Sequence, residues 1–243
     1  MNSSLRKAGH PAKVIHPIGL RRHQVQKLLR TTIDERSIER RIDVLSRRFF
    51  GYPYQSSPLI GSAEVAEVFT ASFEEFDCVT YIEMMIALAR ASDFDDFSDC
   101  LRHIRYHKGR IEWLCRNHYM TEWIRNNLRD GLLKTISLRT VPTVTRERVL
   151  NVVNGLPALR VRMKWVPKTA FPRLAQHLKT ADLIFFVSTR KHLDVFHAGI
   201  LVRDGAELLM RHASRSQGGV VEQEVREFMK ANRMAGVIVA RPR

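Results

Sequence analysis

The sequence predicts an α+β fold in which an antiparallel sheet follows a run of helices. Three observations carry this reading. Apolar residues recur at helical intervals early in the chain, beginning with Val25, Leu28, Leu29 and Ile33. The C-terminal part changes to short strand-like runs, "DLIFFVS", "DVFHAGILVR", "AELLMRHAS" and "GVIVARPR", separated by Gly, Asp and Ser. Two of those runs meet at "RDGA", whose Asp-Gly pair is typical of a two-residue hairpin turn. Helices first and strands after them describe an α+β domain with an antiparallel sheet.

The elements follow in order. Residues 1–20 are basic and show no apolar period, so they read as a flexible arm, and residues 21–243 as a single domain. From His23 to Phe50 the helical spacing continues through Ile38, Ile42, Leu45 and Phe49. "TTIDERS" supplies Thr and Asp caps within that stretch, which divides it into two helices. The Gly, Pro and Ser content of "GYPYQSSPLIGS" makes it a loop. Val79, Ile82, Met85, Ile86 and Ala89 then share one helical face, with Asp77 as N-cap, and this places Cys78 in the first turn. "DFDDFSDCLRHIRY" is a further helical stretch closed by Gly109, and "RIEWLCRNHYMTEWIRNNL" is amphipathic and helical in its second half. Among the strands, "QEVREFMKANRM" reads as a short helix.

Charge is the informative part of the composition. Forty Lys and Arg against 25 Asp and Glu give a net +15, which draws the chain to polyanions: nucleic acid, acidic lipid surfaces or a carboxylate-rich cell wall. Neither zinc-finger spacing nor the aromatic signature of an RNA-recognition module is present. Cys78, Cys100 and Cys115 are three cysteines without a C-x-x-C pair, which excludes a zinc ribbon and a disulfide scaffold, although Cys100 and Cys115 are chemically able to pair in an oxidising compartment. No apolar run is long enough to span a membrane. The first residues lack the apolar core of a secretory signal, so the expectation is a cytoplasmic chain as written, or a periplasmic or extracellular one by truncation or specialised export.

If Asp204 and Gly205 form the hairpin loop, Arg203 faces Ala206 and His197 stands directly opposite His212. Opposed side chains share a face, with Cβ atoms roughly 4.5–5.5 Å apart. Gly199 and Met210 are next on that face, leaving the backbone beside His197 uncrowded. A histidine that takes and returns a proton needs a second group to fix its tautomer, and His212 is placed to do this for His197. A helix start lowers a thiol's pKa and offers N–H groups to an oxyanion, whereas the neighbouring Asp77 raises it. Cys78, His197 and His212 together make a candidate acyl-transfer set.

"FDCVTYIE", then "LDVFHAGI" and "RHAS" far downstream, resemble the N-acetylmuramoyl-L-alanine amidase-like family, within the papain-like superfamily of NlpC-type cell-wall cysteine hydrolases. "GYPYQSSPL", "RNHYMTEWI", "DLIFFVS" and "GVIVARPR" extend the likeness over about residues 51–242. The resemblance implies a papain-like NlpC-type fold, with the nucleophile helix packed on an antiparallel sheet and extra helices N-terminal to it. It implies Cys78 as nucleophile, His197 as general base and His212 as the orienting third residue. Tyr54 matches a tyrosine that supports the thiolate or oxyanion, and Asn117, His118 and Tyr119 match a motif assigned here to substrate positioning. The implied reaction is hydrolysis of the amide between N-acetylmuramic acid and L-alanine in peptidoglycan fragments, with no metal or cofactor. Such enzymes commonly act outside the cytoplasm.

Three other readings compete. An endopeptidase cutting within the stem peptide would use the same nucleophile. A basic nucleic-acid-binding module would leave the cysteine incidental and bind in a salt-sensitive manner. His103 and His107, four apart on an expected helix, have zinc-ligand spacing but no third ligand nearby.

Overall fold

The computed structural model describes residues 15–136 and 138–243. Of the stretch read as a flexible arm, residues 1–14 lie outside the described residues. Ile18 is tied down: its N–H donates to the Phe69 carbonyl (2.8 Å) and its carbonyl accepts from the Ala71 N–H (2.9 Å).

The first half is helical, as its periodicity requires. α1 (Arg22–Arg30) and α2 (Ile38–Arg47) divide at "TTIDERS", although the cap of α2 is Ser37, whose hydroxyl accepts from the Arg40 N–H at 3.2 Å. α3 (Cys78–Arg90), α4 (Phe94–Arg105) and α5 (Met120–Arg129) follow. α3 is buried nearly all round and forms the centre of the helical layer. A buried ion pair with a tryptophan donor crosses this layer. Arg105 Nε donates to Glu83 Oε2 (2.8 Å), and Trp123 Nε1 donates to Glu83 Oε1 (3.1 Å), so α3, α4 and α5 share one buried carboxylate.

The strands are β1 (Leu133–Thr135), β2 (Val144–Leu150), β3 (Leu159–Pro167), β4 (Leu183–Val187), β5 (Val195–Asp204), β6 (Glu207–Ser214), β7 (Gly219–Glu224) and β8 (Gly236–Pro242). They form one sheet in the order β2-β3-β8-β4-β5-β6-β7, with β1 also paired to β8, and every recorded pairing is antiparallel. The α+β class and the antiparallel sheet match the sequence expectation.

Both faces of the sheet are covered. α1 to α5 pack on one side, against Leu183, Phe185, Ala198, Ile200, Ala213 and Val220. α6 (Phe171–Ala175) and α7 (Val225–Ala231) cover the other, against Ile184, Phe186, Leu201, Met210 and Val237. β4 therefore sends alternate side chains into two different cores, which is why "LIFFV" is a continuous apolar run.

The β5–β6 hairpin corrects the expected register. Asp204 pairs with Glu207, so the loop is Gly205-Ala206 and not Asp204-Gly205. Gly205 has φ +54°, a left-handed conformation that a glycine at the first turn position adopts without a Cβ clash. The pairing moves by two residues, so the faces are preserved while the partners change. Leu201 faces Met210, and His212 lies one pair beyond the end of the recorded ladder at Ile200–Arg211. Nor is the backbone beside His197 open. A Cβ on Gly199 would lie 2.5 Å from Met210 Cγ and 2.6 Å from its Sδ, so Met210 fills that room.

α2 is pinned to this sheet by a buried cation. Arg211, on β6, donates from Nη1 to Asp43 Oδ1 (2.6 Å) and to Ser46 Oγ (2.9 Å), and from Nε to Glu222 Oε2 (2.6 Å). Among the described residues no helix is long and apolar enough to cross a membrane.

Candidate active site

Cys78 is the first residue of α3. Asp77 caps it: Oδ1 accepts from the N–H groups of Val79 (3.0 Å) and Thr80 (2.7 Å) and from the Thr80 hydroxyl (2.8 Å). Thr80 Oγ1 in turn accepts from the Asp77 N–H at 3.0 Å, which closes a capping box. The half-buried Cys78 sulfur is approached by the N–H groups of Ala198, of Val79 and of Cys78 itself.

The Ala198 contact follows from how the sheet opens. Leu201 N–H donates to Asp182 on the β4 side (2.7 Å). Along a strand these groups alternate, so Ala198 turns its N–H toward β6. The β5–β6 ladder has ended at Ile200–Arg211, and Ala198 meets the start of α3 there in place of a strand partner.

His197 and His212 sit on the α7 face of the sheet, side by side as expected, but diagonally across the register. His197 Nε2 and His212 Nδ1 are 2.6 Å apart, with the rings edge to face at 4.7 Å. Phe228 of α7 covers both, its ring 5.1 Å from His197 and 5.7 Å from His212. His212 Nε2 lies 3.0 Å from Gln223 Oε1. Among the described residues no hydrogen bond joins the Cys78 sulfur to either imidazole. The thiol and the pair meet at Ala198, the residue next to His197.

The electrostatics hold all three groups neutral. Burial, followed by the Asp77 carboxylate, pushes the Cys78 thiol up to about 12, against the pull of the surrounding N–H groups. The sequence reading gave the helix start the larger weight; desolvation outweighs it. Burial and the neighbouring His212 depress His197 to about 3, and burial depresses His212 to about 4 despite the Gln223 bond.

Tyr54 is brought to this place by backbone pairing. Its N–H donates to the Gly218 carbonyl (2.9 Å), and Phe76, two residues before Cys78, donates to Pro53 (3.0 Å). Burial and the adjacent Cys78 and Asp77 raise its phenol, partly opposed by Ser56 and Arg215. Asn117, His118 and Tyr119 are employed elsewhere. Asn117 donates to the Ile104 carbonyl (3.1 Å) and accepts from Asn126 (2.6 Å), His118 Nε2 meets the Trp113 carbonyl (2.7 Å), and the Tyr119 hydroxyl accepts from the Val153 N–H (3.3 Å). These bonds secure the approach to α5 and the β2–β3 loop, and none of them reaches Cys78.

The remaining candidates fall apart in space. His103 lies in the last turn of α4, its Nδ1 2.9 Å from the Asp99 carbonyl, whereas His107 begins a separate 3-10 turn past Tyr106. Among the described residues no group of three metal-ligating side chains occurs. All three cysteines are free. An apolar cavity of about 560 Å³ between α5, β3 and β8 is lined by none of Cys78, His197 and His212. Gln223 and Phe228 are not legible as neighbours of the histidine pair in the sequence: the helical reading of "QEVREF" extends over Gln223, and the contact of Phe228 with both rings depends on how α7 packs on the sheet. The first two residues of that run belong to β7, which carries Gln223.

A model of the N-acetylmuramoyl-L-alanine amidase-like (AmiA-like) family matches residues 44–237. The chain belongs to this family. No curated protein matches it. Among solved structures, a family member's fold of this kind recurs in a protein from Legionella pneumophila, with TM-score 0.80 and 20% identity, covering 91% of this chain and 94% of that one. An N-acetylmuramoyl-L-alanine amidase from Bacteroides uniformis is similar at TM-score 0.76 and 23% identity, covering 85% and 99%. A Bacteroides fragilis protein provisionally named a xylanase is similar at TM-score 0.69 and 24% identity, covering 81% and 98%. At these identities the structural likeness speaks to the fold of the AmiA-like chain alone.

Proposed function

We propose that this AmiA-like protein is a cysteine-dependent hydrolase that cleaves the amide between N-acetylmuramic acid and L-alanine in peptidoglycan fragments. Family membership supports the amidase class, and the name of the Bacteroides uniformis neighbour agrees with it. The observation that carries the mechanism is local. A cysteine at a capped helix start, close enough to the Ala198 N–H for that group to pull its thiol pKa down, abuts the strand residue next to a hydrogen-bonded histidine pair. This arrangement also supports placing the chain in the NlpC-type papain-like superfamily.

The reaction begins from a neutral thiol and a neutral imidazole. His197 removes the Cys78 proton as sulfur bonds to the lactyl carbonyl carbon, so no standing thiolate is required. The N–H groups around Cys78, with the Tyr54 hydroxyl, are positioned for the developing oxyanion. The C–N bond breaks as His197 returns its proton to the alanine nitrogen. Water gives a proton to His197 as it attacks the thioester carbonyl; the C–S bond then breaks, the sugar carboxylate is freed and His197 returns the proton to the Cys78 sulfur. Closure of the thiol–imidazole distance on substrate binding is part of the proposal, since such bonds commonly tighten only in the complex.

Mass spectrometry of defined muropeptides tests it. Wild-type protein should release the intact stem peptide from the sugar, and Cys78→Ala should release none. Hydrolysis retained in Cys78→Ala would remove cysteine catalysis. Cleavage inside the stem would replace the amidase with an endopeptidase on the same nucleophile, and salt-sensitive nucleic-acid binding without cleavage would favour the reading suggested by the net +15 charge.

A further inference from the structure

The hydrogen-bonded line that starts at His197 does not stop at His212. His197 Nε2 and His212 Nδ1 are 2.6 Å apart, His212 Nε2 and Gln223 Oε1 are 3.0 Å apart, and Gln217 Nε2 donates to the same Gln223 oxygen at 3.2 Å. A neutral imidazole carries one N–H, and an amide oxygen only accepts. His212 therefore carries its hydrogen on Nε2, where it donates to Gln223, and Nδ1 is bare. The bare Nδ1 accepts the Nε2 hydrogen of His197. The remaining nitrogen of His197, Nδ1, is left with a free lone pair.

We propose that Gln223 is a positioning residue that fixes the proton order of the histidine pair, so that His197 Nδ1 is always presented as a base. The proposal rests on the cysteine-hydrolase reading for its catalytic meaning, although the proton order is a property of the resting protein. Turning the Gln223 amide round reverses every bond. Its NH2 would donate to His212 Nε2, His212 Nδ1–H would donate to His197 Nε2, and His197 Nδ1 would carry the hydrogen, with no lone pair for the Cys78 proton. Gln217 donates to the amide oxygen in the orientation present here, which adds one hydrogen bond to that orientation. It extends from the β6–β7 turn, where its own N–H donates to Ser214 Oγ at 3.4 Å. Gln223 itself lies on β7 facing Met210, one pair diagonal to His212 and Val221, so its reach is set by sheet register and not by a loop.

Long-range proton–nitrogen NMR of histidine-labelled protein at neutral pH reads the order directly, without substrate. In wild type, His197 and His212 should both be protonated on Nε2 and bare on Nδ1; a hydrogen on His197 Nδ1 overturns the proposal with no variant needed. Gln223→Leu should give mixed tautomers and lower kcat on the order of 10²-fold, within what a positioned general base contributes, with KM little changed. Gln223→Glu, an acceptor only, should restore the wild-type order and much of kcat. Wild-type tautomers and kcat in folded Gln223→Leu would also overturn the proposal. If Cys78→Ala keeps hydrolytic activity while the tautomers are as stated, the cysteine-dependent reading fails and the proton order stands.

Discussion

At the scale of single residues, the site is a set of neutral groups under strong desolvation. An imidazole ordinarily titrates near 6.5. Burial holds His197 at about 3 and His212 at about 4 in the folded chain, so as pH falls below about 6.5 the unfolded chain binds protons that the folded one does not. Their contribution to stability is complete above that value and is lost as pH falls toward the depressed pKa values, at up to roughly 1.4 kcal/mol per pH unit for each ring. Urea midpoints measured from about pH 7 down to about pH 4 should fall in wild type, and His197→Gln should remove part of the slope. An unchanged slope would show that the ring is not held neutral by the fold. This behaviour was only half legible in the sequence. The Asp77 cap, the Cys78 first turn and the pairing of His197 with His212 could be read from spacing. The depth of burial could not, because it comes from Phe228 and from the strands on either side.

Among the elements, the hairpin shows what local rules specify and where they stop. "RDGA" announced the β5–β6 turn, but the choice between Asp-Gly and Gly-Ala as its loop depends on packing further along. Met210 occupies the space above Gly199 in the register observed. Gly199→Ala should therefore cost about 1–3 kcal/mol as overpacking, and the double change with Met210→Ala should cost less than the sum of the two single changes. Strict additivity in denaturant titrations would refute that contact. β2 and β3 escaped the sequence reading for a different reason. Their basic residues mask the period: in β3 the arginines and lysine alternate with buried Val161, Met163 and Trp165, the pattern of a strand with one covered face. The elements legible in the sequence, α1 to α5, α7, β4, β5, β6 and β8, are those with a helical apolar period or a strand-like apolar run bounded by turn residues.

Over the whole molecule, the excess positive charge acquires a location. β2 is an edge strand, and its partner β3 directs Arg160, Arg162 and Lys164 outward in a row. A cationic row raises the local concentration of anionic fragments. On the proposed muropeptide substrates, kcat/KM should fall with added salt while kcat stays nearly constant, and Arg160→Glu with Arg162→Glu should flatten that dependence. A kcat/KM indifferent to salt in wild type would detach the charge from substrate capture. The tie between α2 and β6 has a consequence for where the functional unit begins. The family match starts at residue 44, yet Asp43, one residue before it, is a partner of the buried Arg211 beside His212. A protein trimmed to the family boundary would carry an interior cation that has lost one of its two counterions, next to the residue that orients the proposed base. The first turns of α2, ahead of that boundary, are thus part of what supports the candidate site.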